Sequence, residues 1–338
     1  MTLDMIKERL KLPAYDFLRH DSRLRQPVFV TLGGSHAYGT STENSDVDIR
    51  GCALNSRKDL LTQRDFEQVV ETETDTVIYS ADKLIKLITD ANPNTIELLG
   101  NLPEHYFYVS EAGRLLLDNA ELFLSKKAAF SFGGYANAQL RRLENKAARK
   151  LAQSETETYI LRSIQHAMDH LKEHYGEFPE EGLKLYTDKS PREGYDTEMY
   201  MDITLKHYPL RDWTGLWSDM QSIVKSYGKL GKRNENAASH GKLGKHMMHL
   251  VRLYYMCFDI LEKKQIVTYR EKEHDLLMSI RNGAFLDSGD KPTAEFYEML
   301  DELEKRMEYA EKHTELPEFP NKEKIRELHA EINGFSAD

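Results

Sequence analysis

Near the amino terminus, the sequence contains the segment LGGSHAYGTSTENSDVDIRG, residues 32–51. It contains a glycine pair that ends at Gly34 and is followed by Ser35, and later two aspartates, Asp46 and Asp48, separated by one valine. Glycines let the backbone approach a ligand closely, and a serine where a short helix begins offers a hydroxyl and an N–H group to an anion. The stretch therefore predicts a phosphate-binding turn near a pair of carboxylates.

Strands are predicted on both sides of this turn. VFVTL, residues 28–32, is a short β-branched run after Pro27 and indicates a buried strand. A second strand is predicted from Asp46 to Ala53, and a third over residues 69–80, which are rich in Thr, Val and Ile. Because side chains alternate along a strand, we expect Asp46 and Asp48 on one face.

Two carboxylates on one face repel each other unless a cation neutralises them, and Mg²⁺ or Mn²⁺ prefers oxygen ligands. A phosphate-binding turn beside such a pair supports metal-assisted phosphoryl or nucleotidyl transfer, which normally uses a third carboxylate. The predicted third strand offers Glu71, Glu73 and Asp75, all of the same parity. Strand geometry does not choose among these three.

Composition limits the class of protein. The 338 residues are 40% hydrophobic, which suffices for two packed domains. The amino-terminal segment lacks the apolar core of a secretory signal, and no run approaches the roughly 20 apolar residues of a spanning helix. We expect a cytoplasmic protein without membrane contact. Cys52 and Cys257 lack metal-site spacing and are predicted to be buried thiols without a disulfide-linked partner.

The net charge of −10 argues against a protein that coats nucleic acid through a uniformly positive surface. Two basic stretches, residues 140–150 and 225–252, leave room for local contacts with nucleic acid. A solvated helix face is the alternative for each stretch.

Strand signals fade near residue 120, and helical patterns follow. We therefore expect an α+β fold: a small mixed-sheet domain over residues 1–120, followed by a mainly α-helical domain over residues 121–338. Ser80 is predicted to cap a helix that ends before Asn92. The later helices are predicted over residues 135–151, 159–175, 243–264 and 293–312.

The motifs resemble the nucleotidyltransferase domain of the DNA polymerase β superfamily. Within it, the chain is most similar to the predicted nucleotidyltransferases of bacteria and phages that are associated with RNA repair. A looser similarity continues through KHMMHLVR, residues 245–252, and SIRNGAF, residues 279–285. The motifs that carry the closer resemblance are GSHAYGT, residues 34–40, SDVDIRG, residues 45–51, Asp75, and ANPNTIELL, residues 91–99.

The resemblance implies that the helical domain shapes the substrate cleft, and it implies roles for individual residues. Asp46 and Asp48 would bind two metal ions, Mg²⁺ or Mn²⁺, and Asp75 would complete the site of the ion that activates the attacking hydroxyl. Gly34 and Ser35 would hold the β- and γ-phosphates of an NTP. The choice of Asp75 over Glu73 follows from the family pattern alone.

A basic helix offers further candidates. Lys245, His249 and Arg252 recur at helical spacing, with Lys242 nearly one turn earlier. These four side chains are candidates to meet the triphosphate or a nucleic-acid backbone, and solvated surface is the alternative.

Three other residues have open roles. Glu97 is a candidate general base or supporting group, although Asn92-Pro93 is also a helix-start signal for which capping is favoured. Arg50 shares the parity of Asp48, and an ion pair is favoured over a phosphate contact. Tyr38 would stack on a nucleobase or pack inside the protein.

The sequence thus predicts a Mg²⁺-dependent nucleotidyltransferase that moves an NMP from an NTP to a hydroxyl, with an RNA 3′ end, for example of tRNA, as the first-choice acceptor. The alternatives are transfer onto a protein hydroxyl and a nucleotide- or RNA-binding module without turnover.

Overall fold

The computed structural model describes residues 1–64, 66–148, 183–189, 197–204, 242–288 and 291–337, together with a few positions between 191 and 221. The chain forms two compact units. The first contains residues 1–136, 248–280 and 297–338, and the second contains residues 137–247 and 281–296. The predicted α+β class is confirmed, while the domain division at residue 120 stays a prediction.

The first unit is built on a mixed five-stranded sheet. Its strands are β1 Pro27–Gly33, β2 Asp48–Ala53, β3 Gln68–Glu71, β4 Thr76–Ser80 and β5 Tyr106–Val109. The spatial order is β3-β4-β2-β1-β5, in which β2 runs parallel to β4 and the other neighbours are antiparallel. The second unit contains an antiparallel pair, β6 Leu183–Lys189 and β7 Thr197–Ile203.

The strand predictions were partly wrong. Residues 69–80 do not form one strand, because residues 72–75 make a turn between β3 and β4. The second strand begins at Asp48, not at Asp46, because a turn precedes it: the Ser45 hydroxyl accepts a hydrogen bond from the Thr42 amide at 2.8 Å. Strands β5, β6 and β7 were not predicted.

The helix predictions agree better with the structure. The predictions for residues 243–264 and 293–312 are confirmed within one residue, that for 135–151 begins eight residues too late, and that for 159–175 lies outside the described residues. Ser80 caps α5 as predicted, by accepting from the Lys83 amide. The α-helices are α1 Leu3–Arg9, α2 Phe17–His20, α3 Gly34–Tyr38, α4 Arg57–Thr62, α5 Ala81–Thr89, α6 Pro93–Ile96, α7 Glu111–Asp118, α8 Lys127–Ala148, α9 Lys242–Lys263, α10 His274–Arg281, α11 Ala294–His313 and α12 Lys322–Gly334. Short 3-10 turns cover Pro13–Tyr15, Ser22–Leu24, Glu97–Gly100, Pro103–His105 and Ala120–Phe123.

The buried part of helix α9 contributes to the hydrophobic core of the first unit. Most side chains from Met247 to Leu261 are buried, so this part of the helix has apolar neighbours on nearly every side. Its residues Met256 and Ile260 share one core cluster with Phe29 of β1. The charged side chains that α9 buries are Arg252 and Asp259, and each is paired. Both cysteines are buried free thiols, as predicted, and burial raises the pKa of each.

The two faces of the sheet carry different clusters. On β2, Cys52 belongs to the cluster that contains α9, whereas Ile49 and Ala53, of opposite parity, belong to two smaller clusters. Asp48 has the parity of Cys52, so its side chain lies on the α9 side of the sheet. No helix among the described residues is long and apolar enough to cross a membrane.

The last helix is fastened to the sheet unit by polar contacts. Asp82 at the start of α5 accepts hydrogen bonds from His329 at 2.5 Å and Asn333 at 3.1 Å, both on α12, and from Asn55 at 3.1 Å. These hydrogen bonds, led by that of His329, lower the pKa of the Asp82 carboxyl to about 2. The Asp82 carboxylate therefore helps to attach α12 to α5.

Asp82 makes a pH-dependent contribution to stability. Its pKa is lower in the folded chain than in the unfolded chain, so its contribution of about 2 kcal/mol is present above about pH 4 and is lost as the pH falls toward 2. The Asp82→Asn variant should lose this part of the pH dependence in denaturant unfolding between pH 7 and pH 2. The exposed Asp118→Asn variant is the control, and an identical pH dependence in the two variants would contradict the assignment.

Candidate active site

The turn between β1 and α3 touches the carboxylate of Asp48. Strand β1 ends at Gly33, which pairs with Asp48 in the sheet, and α3 begins at Gly34. Gly34 has a φ of 58°, and a Cβ atom on it would lie 1.9 Å from Asp48 Oδ2. Only glycine fits at this position. Ser35 follows on the first turn of α3, as the sequence predicted, and is buried.

The register between β2 and β4 brings Asp75 close to the start of β2, where Asp48 lies. Strand β2 runs parallel to β4 with Ile49 opposite Thr76, so the residue before β4 lies beside the start of β2. The Ile49 amide donates to the Asp75 carbonyl at 3.3 Å. Asp75 has a φ of 46°, a conformation that Asp tolerates better than most residues.

Arg50 joins the two carboxylates. Its Nη2 atom donates to Asp48 Oδ1 at 2.9 Å and to Asp75 Oδ1 at 3.2 Å, and its Nη1 atom donates to the carbonyls of Asp75 and Ile49. The predicted ion pair of Arg50 is therefore confirmed. Asp48 and Asp75 converge on one positive charge.

The other acidic candidates lie apart from this pair. Asp46 precedes β2 and is exposed, and the expectation that Asp46 and Asp48 share one face stays a prediction. Glu73 is exposed in the turn, where its amide donates to Glu71 Oε1 at 3.2 Å. The expectation that Glu71, Glu73 and Asp75 share a strand face was wrong, because the strand is interrupted there.

The donor set suits a hard divalent cation, because carboxylate oxygens are its preferred ligands and Asp48 and Asp75 already surround a cationic group. In the described part of the chain, no three His, Cys, Asp or Glu side chains are gathered closely enough to hold a metal ion. A metal bound by Asp46, Asp48 and Asp75 would therefore require Asp46 to turn inward and the Arg50 guanidinium to move.

Behind the turn lies a buried polar network that the sequence did not predict as a unit. The Tyr38 hydroxyl donates to Glu97 Oε1 at 2.8 Å, and Arg252 Nη1 donates to Glu97 Oε2 at 2.9 Å. The Arg252 guanidinium also lies over the Tyr38 ring, 3.6 Å from its centroid. All three residues are at most 5% exposed. Glu97 is thus held from two sides, while Asn92 caps α6 as predicted.

The four basic candidates on α9 do not share one environment. Lys242 is the first residue of α9 and Lys245 is exposed, and both belong to the second unit. His249 packs edge-on against Tyr38, with ring centroids 5.9 Å apart. A phosphate contact by Arg252 would require its buried ion pair with Glu97 to open.

The Tyr38 ring packs between protein groups, in agreement with the packing alternative. Burial raises the pKa of its phenol far above the ordinary value, and Glu97 adds to this increase while Arg252 opposes it. The hydroxyl therefore stays protonated and remains a hydrogen-bond donor at physiological pH.

Comparison with known proteins identifies relatives. The model of a family described as RlaP, RNA repair pathway DNA polymerase beta family, matches residues 19–206, which is more than half of the chain. An uncharacterized 38.9 kDa protein of Enterobacteria phage T4, from the nrdC-mobD intergenic region, is 25% identical over 162 residues. This match covers 44% of the present chain and 46% of the phage protein, so the chain spans about half the length of that relative. No solved structure matches the chain.

Gly34→Ala is expected to disturb the predicted phosphate-binding turn. Gly34→Ala places a methyl group against Asp48 Oδ2 and requires a φ that alanine rarely adopts. We expect NTP affinity to fall at least tenfold, a change of about 1.4 kcal/mol. Gly134→Ala in α8 is the control, because apart from its chain neighbours and the nearby backbone of α8 no atom lies within 4 Å of its new Cβ. Equal NTP affinity in the two variants by equilibrium dialysis would contradict the assignment.

The position of Arg50 predicts a link between metal and stability. Arg50→Met leaves Asp48 and Asp75 without their shared cation, so the metal-free protein should lose about 1 kcal/mol of unfolding free energy. Mg²⁺ should stabilise this variant more than the parent protein, because the Arg50 guanidinium no longer competes with the metal ion for the two carboxylates. The exposed Arg57→Met variant serves as control, and the same thermal response to Mg²⁺ in both variants would contradict the prediction.

Proposed function

The chain belongs to the RNA repair pathway DNA polymerase beta family, and from this membership and the site geometry we propose that it is a metal-dependent nucleotidyltransferase. It moves an NMP from an NTP to a hydroxyl acceptor and releases pyrophosphate. The observation that carries the proposal is the sheet register that sets the Gly33-Gly34 turn against Asp48, with Asp75 beside it.

The proposed roles follow the positions of the groups. Gly34 and Ser35 hold the β- and γ-phosphates through backbone N–H groups and a hydroxyl at the start of α3. Asp46, Asp48 and Asp75 would hold Mg²⁺ or Mn²⁺, which would supply Lewis-acid stabilisation of the phosphoryl oxygens and lower the pKa of the attacking hydroxyl. Arg50 neutralises Asp48 and Asp75 in the metal-free protein and would have to give way to the metal ion.

The reaction forms one bond and breaks one bond. The oxygen of the acceptor hydroxyl bonds to the α-phosphorus, and the bond between that phosphorus and the oxygen bridging to the β-phosphate breaks. The electron pair leaves with pyrophosphate, which the turn at Gly34 and Ser35 retains until release. The hydroxyl proton passes to solvent by way of the Asp75 carboxylate, which is more than half exposed.

An RNA 3′ end is the proposed acceptor. The family description names an RNA repair pathway, and Lys242 and the exposed Lys245 lie at the start of α9, within the second basic stretch, residues 225–252. Such lysines would hold phosphates of the RNA backbone. Residues 225–241 lie outside the described residues, so this support rests on Lys242 and Lys245.

Transfer assays test the proposal. The protein is incubated with each α-labelled NTP, Mg²⁺ or Mn²⁺, total RNA and lysate protein, and the products are divided by RNase and protease. We expect RNase-sensitive label that disappears in Asp46→Asn, because the exposed Asp46 is replaced with little effect on the fold. Glu43→Gln, an exposed acidic residue in the same loop, is the matched control.

Other results would replace parts of the proposal. Protease-sensitive label would move the acceptor to a protein hydroxyl. Bound NTP without label on any acceptor would support a nucleotide- or RNA-binding module. Label that persists in Asp46→Asn at the level of Glu43→Gln would contradict the role of Asp46.

A further inference from the structure

Helix α3 is fastened at its C-terminal end by residues far away in the sequence. Gly34 and Ser35 begin this five-residue helix, and Tyr38 ends it. The Tyr38 hydroxyl donates to Glu97, which also accepts from Arg252, a residue 155 positions later in the chain. Such a short helix has little stability of its own, so its position depends on these contacts.

The segment after α9 holds the same end of α3 through the main chain. The Arg270 amide donates to the Tyr38 carbonyl at 3.0 Å, and Gly39 lies so close to Tyr269 that a Cβ on it would be 2.6 Å from the ring. The Thr268 hydroxyl donates to the Glu97 carbonyl at 2.5 Å. Tyr38 and Glu97 are therefore held by a common partner segment.

Stability alone does not explain why the ion pair between Arg252 and Glu97 is buried. Removing two charges from water offsets much of their attraction, and well-packed apolar residues often serve as well. Arg252 and Glu97 give what apolar residues would not, namely an acceptor fixed in direction for the Tyr38 hydroxyl. Burial keeps that hydroxyl protonated, so the contact persists across the physiological pH range.

We propose that Arg252 and Glu97 are positioning residues that act through Tyr38. They immobilise α3 and thereby keep Gly34 and Ser35 in the conformation that receives the NTP phosphates. The NTP part of this inference rests on the proposed function, whereas the immobilisation of α3 does not. The competing account is that the three residues only stabilise the fold.

Tyr38→Phe isolates the positioning contact. It removes the hydroxyl and leaves the ring beneath Arg252. The Thr40 amide, which donates to the Ser35 carbonyl at 2.9 Å, reports the opening of α3 by hydrogen exchange. We expect exchange at Thr40 to rise and affinity for Mg²⁺-NTP to fall, each about tenfold, as expected for the loss of a hydrogen bond to a charged group.

Tyr106→Phe is the matched control. It also removes a tyrosine hydroxyl from a hydrogen bond inside the first unit, the one to the Leu98 carbonyl at 2.6 Å. We expect a comparable loss of thermal stability with unchanged exchange at Thr40 and unchanged NTP affinity. If both variants change the two readouts equally, the network only stabilises the fold and the proposal is overturned.

A double variant separates charge burial from positioning. Glu97→Met or Arg252→Met alone leaves a buried charge unpaired and should destabilise the protein strongly. The double variant removes both charges and should regain most of the thermal stability. We expect fast exchange at Thr40 and weak NTP binding to persist in it. Full recovery of both readouts together with stability would contradict the proposal.

The two readouts distinguish this inference from the proposed function. If the parent protein binds none of the four NTPs, the proposed function fails, and exchange at Thr40 still decides whether Tyr38 immobilises α3. If the parent binds an NTP and Tyr38→Phe exchanges like the parent at Thr40, the positioning inference alone fails.

Discussion

Strand β2 lies between β1 and β4, and its register with these two neighbours fixes every group of the candidate active site. Gly33 faces Asp48 across the antiparallel pair, and Ile49 faces Thr76 across the parallel pair. A shift of one residue would move Asp48 and Arg50 to the opposite face of the sheet. The buried Ile49 opposes such a shift, because it would exchange places with charged neighbours.

Two arginines neutralise carboxylates in two different environments of this fold. Arg50 neutralises Asp48 and Asp75 where the site is partly open to solvent, so its guanidinium can give way to another cation. Arg252 neutralises Glu97 where both side chains are about 95% buried, so that pair is not free to separate without a large penalty. Arg50 therefore leaves the Asp48 and Asp75 carboxylates able to accept another cation. Arg252 makes α3 rigid.

The sequence predicted the parts of the site that depend on local structure. Gly34 and Ser35 were recognised because a strand, a glycine turn and a short helix follow one another directly. The Asp48–Arg50 pair followed from strand parity, and the Ser80 and Asn92 caps from their residue types. These features could be predicted because they depend only on residues that are close in the sequence.

Features that depend on turns or on distant residues were missed or misplaced. Residues 72–75 alternate Thr with acidic side chains, a pattern that suits a strand, but Asp75 takes a left-handed conformation and the chain reverses. The contact between Glu97 and Arg252 joins residues 155 positions apart, so no local sequence pattern predicts it. The sequence therefore predicted for Arg252 only a contact with the triphosphate or a nucleic-acid backbone, or a solvated surface position, because its helical spacing matches that of Lys245 and His249.

The position of a bound metal ion would show whether the proposed site is the active site. Crystals of the protein with Mn²⁺ and an NTP analogue that resists transfer would locate manganese by its anomalous scattering. We predict manganese bound by the carboxylates of Asp46 and Asp48, the triphosphate against Gly34 and Ser35, and Arg50 turned away. Manganese and nucleotide bound elsewhere, with Arg50 still joining Asp48 to Asp75, would contradict this prediction.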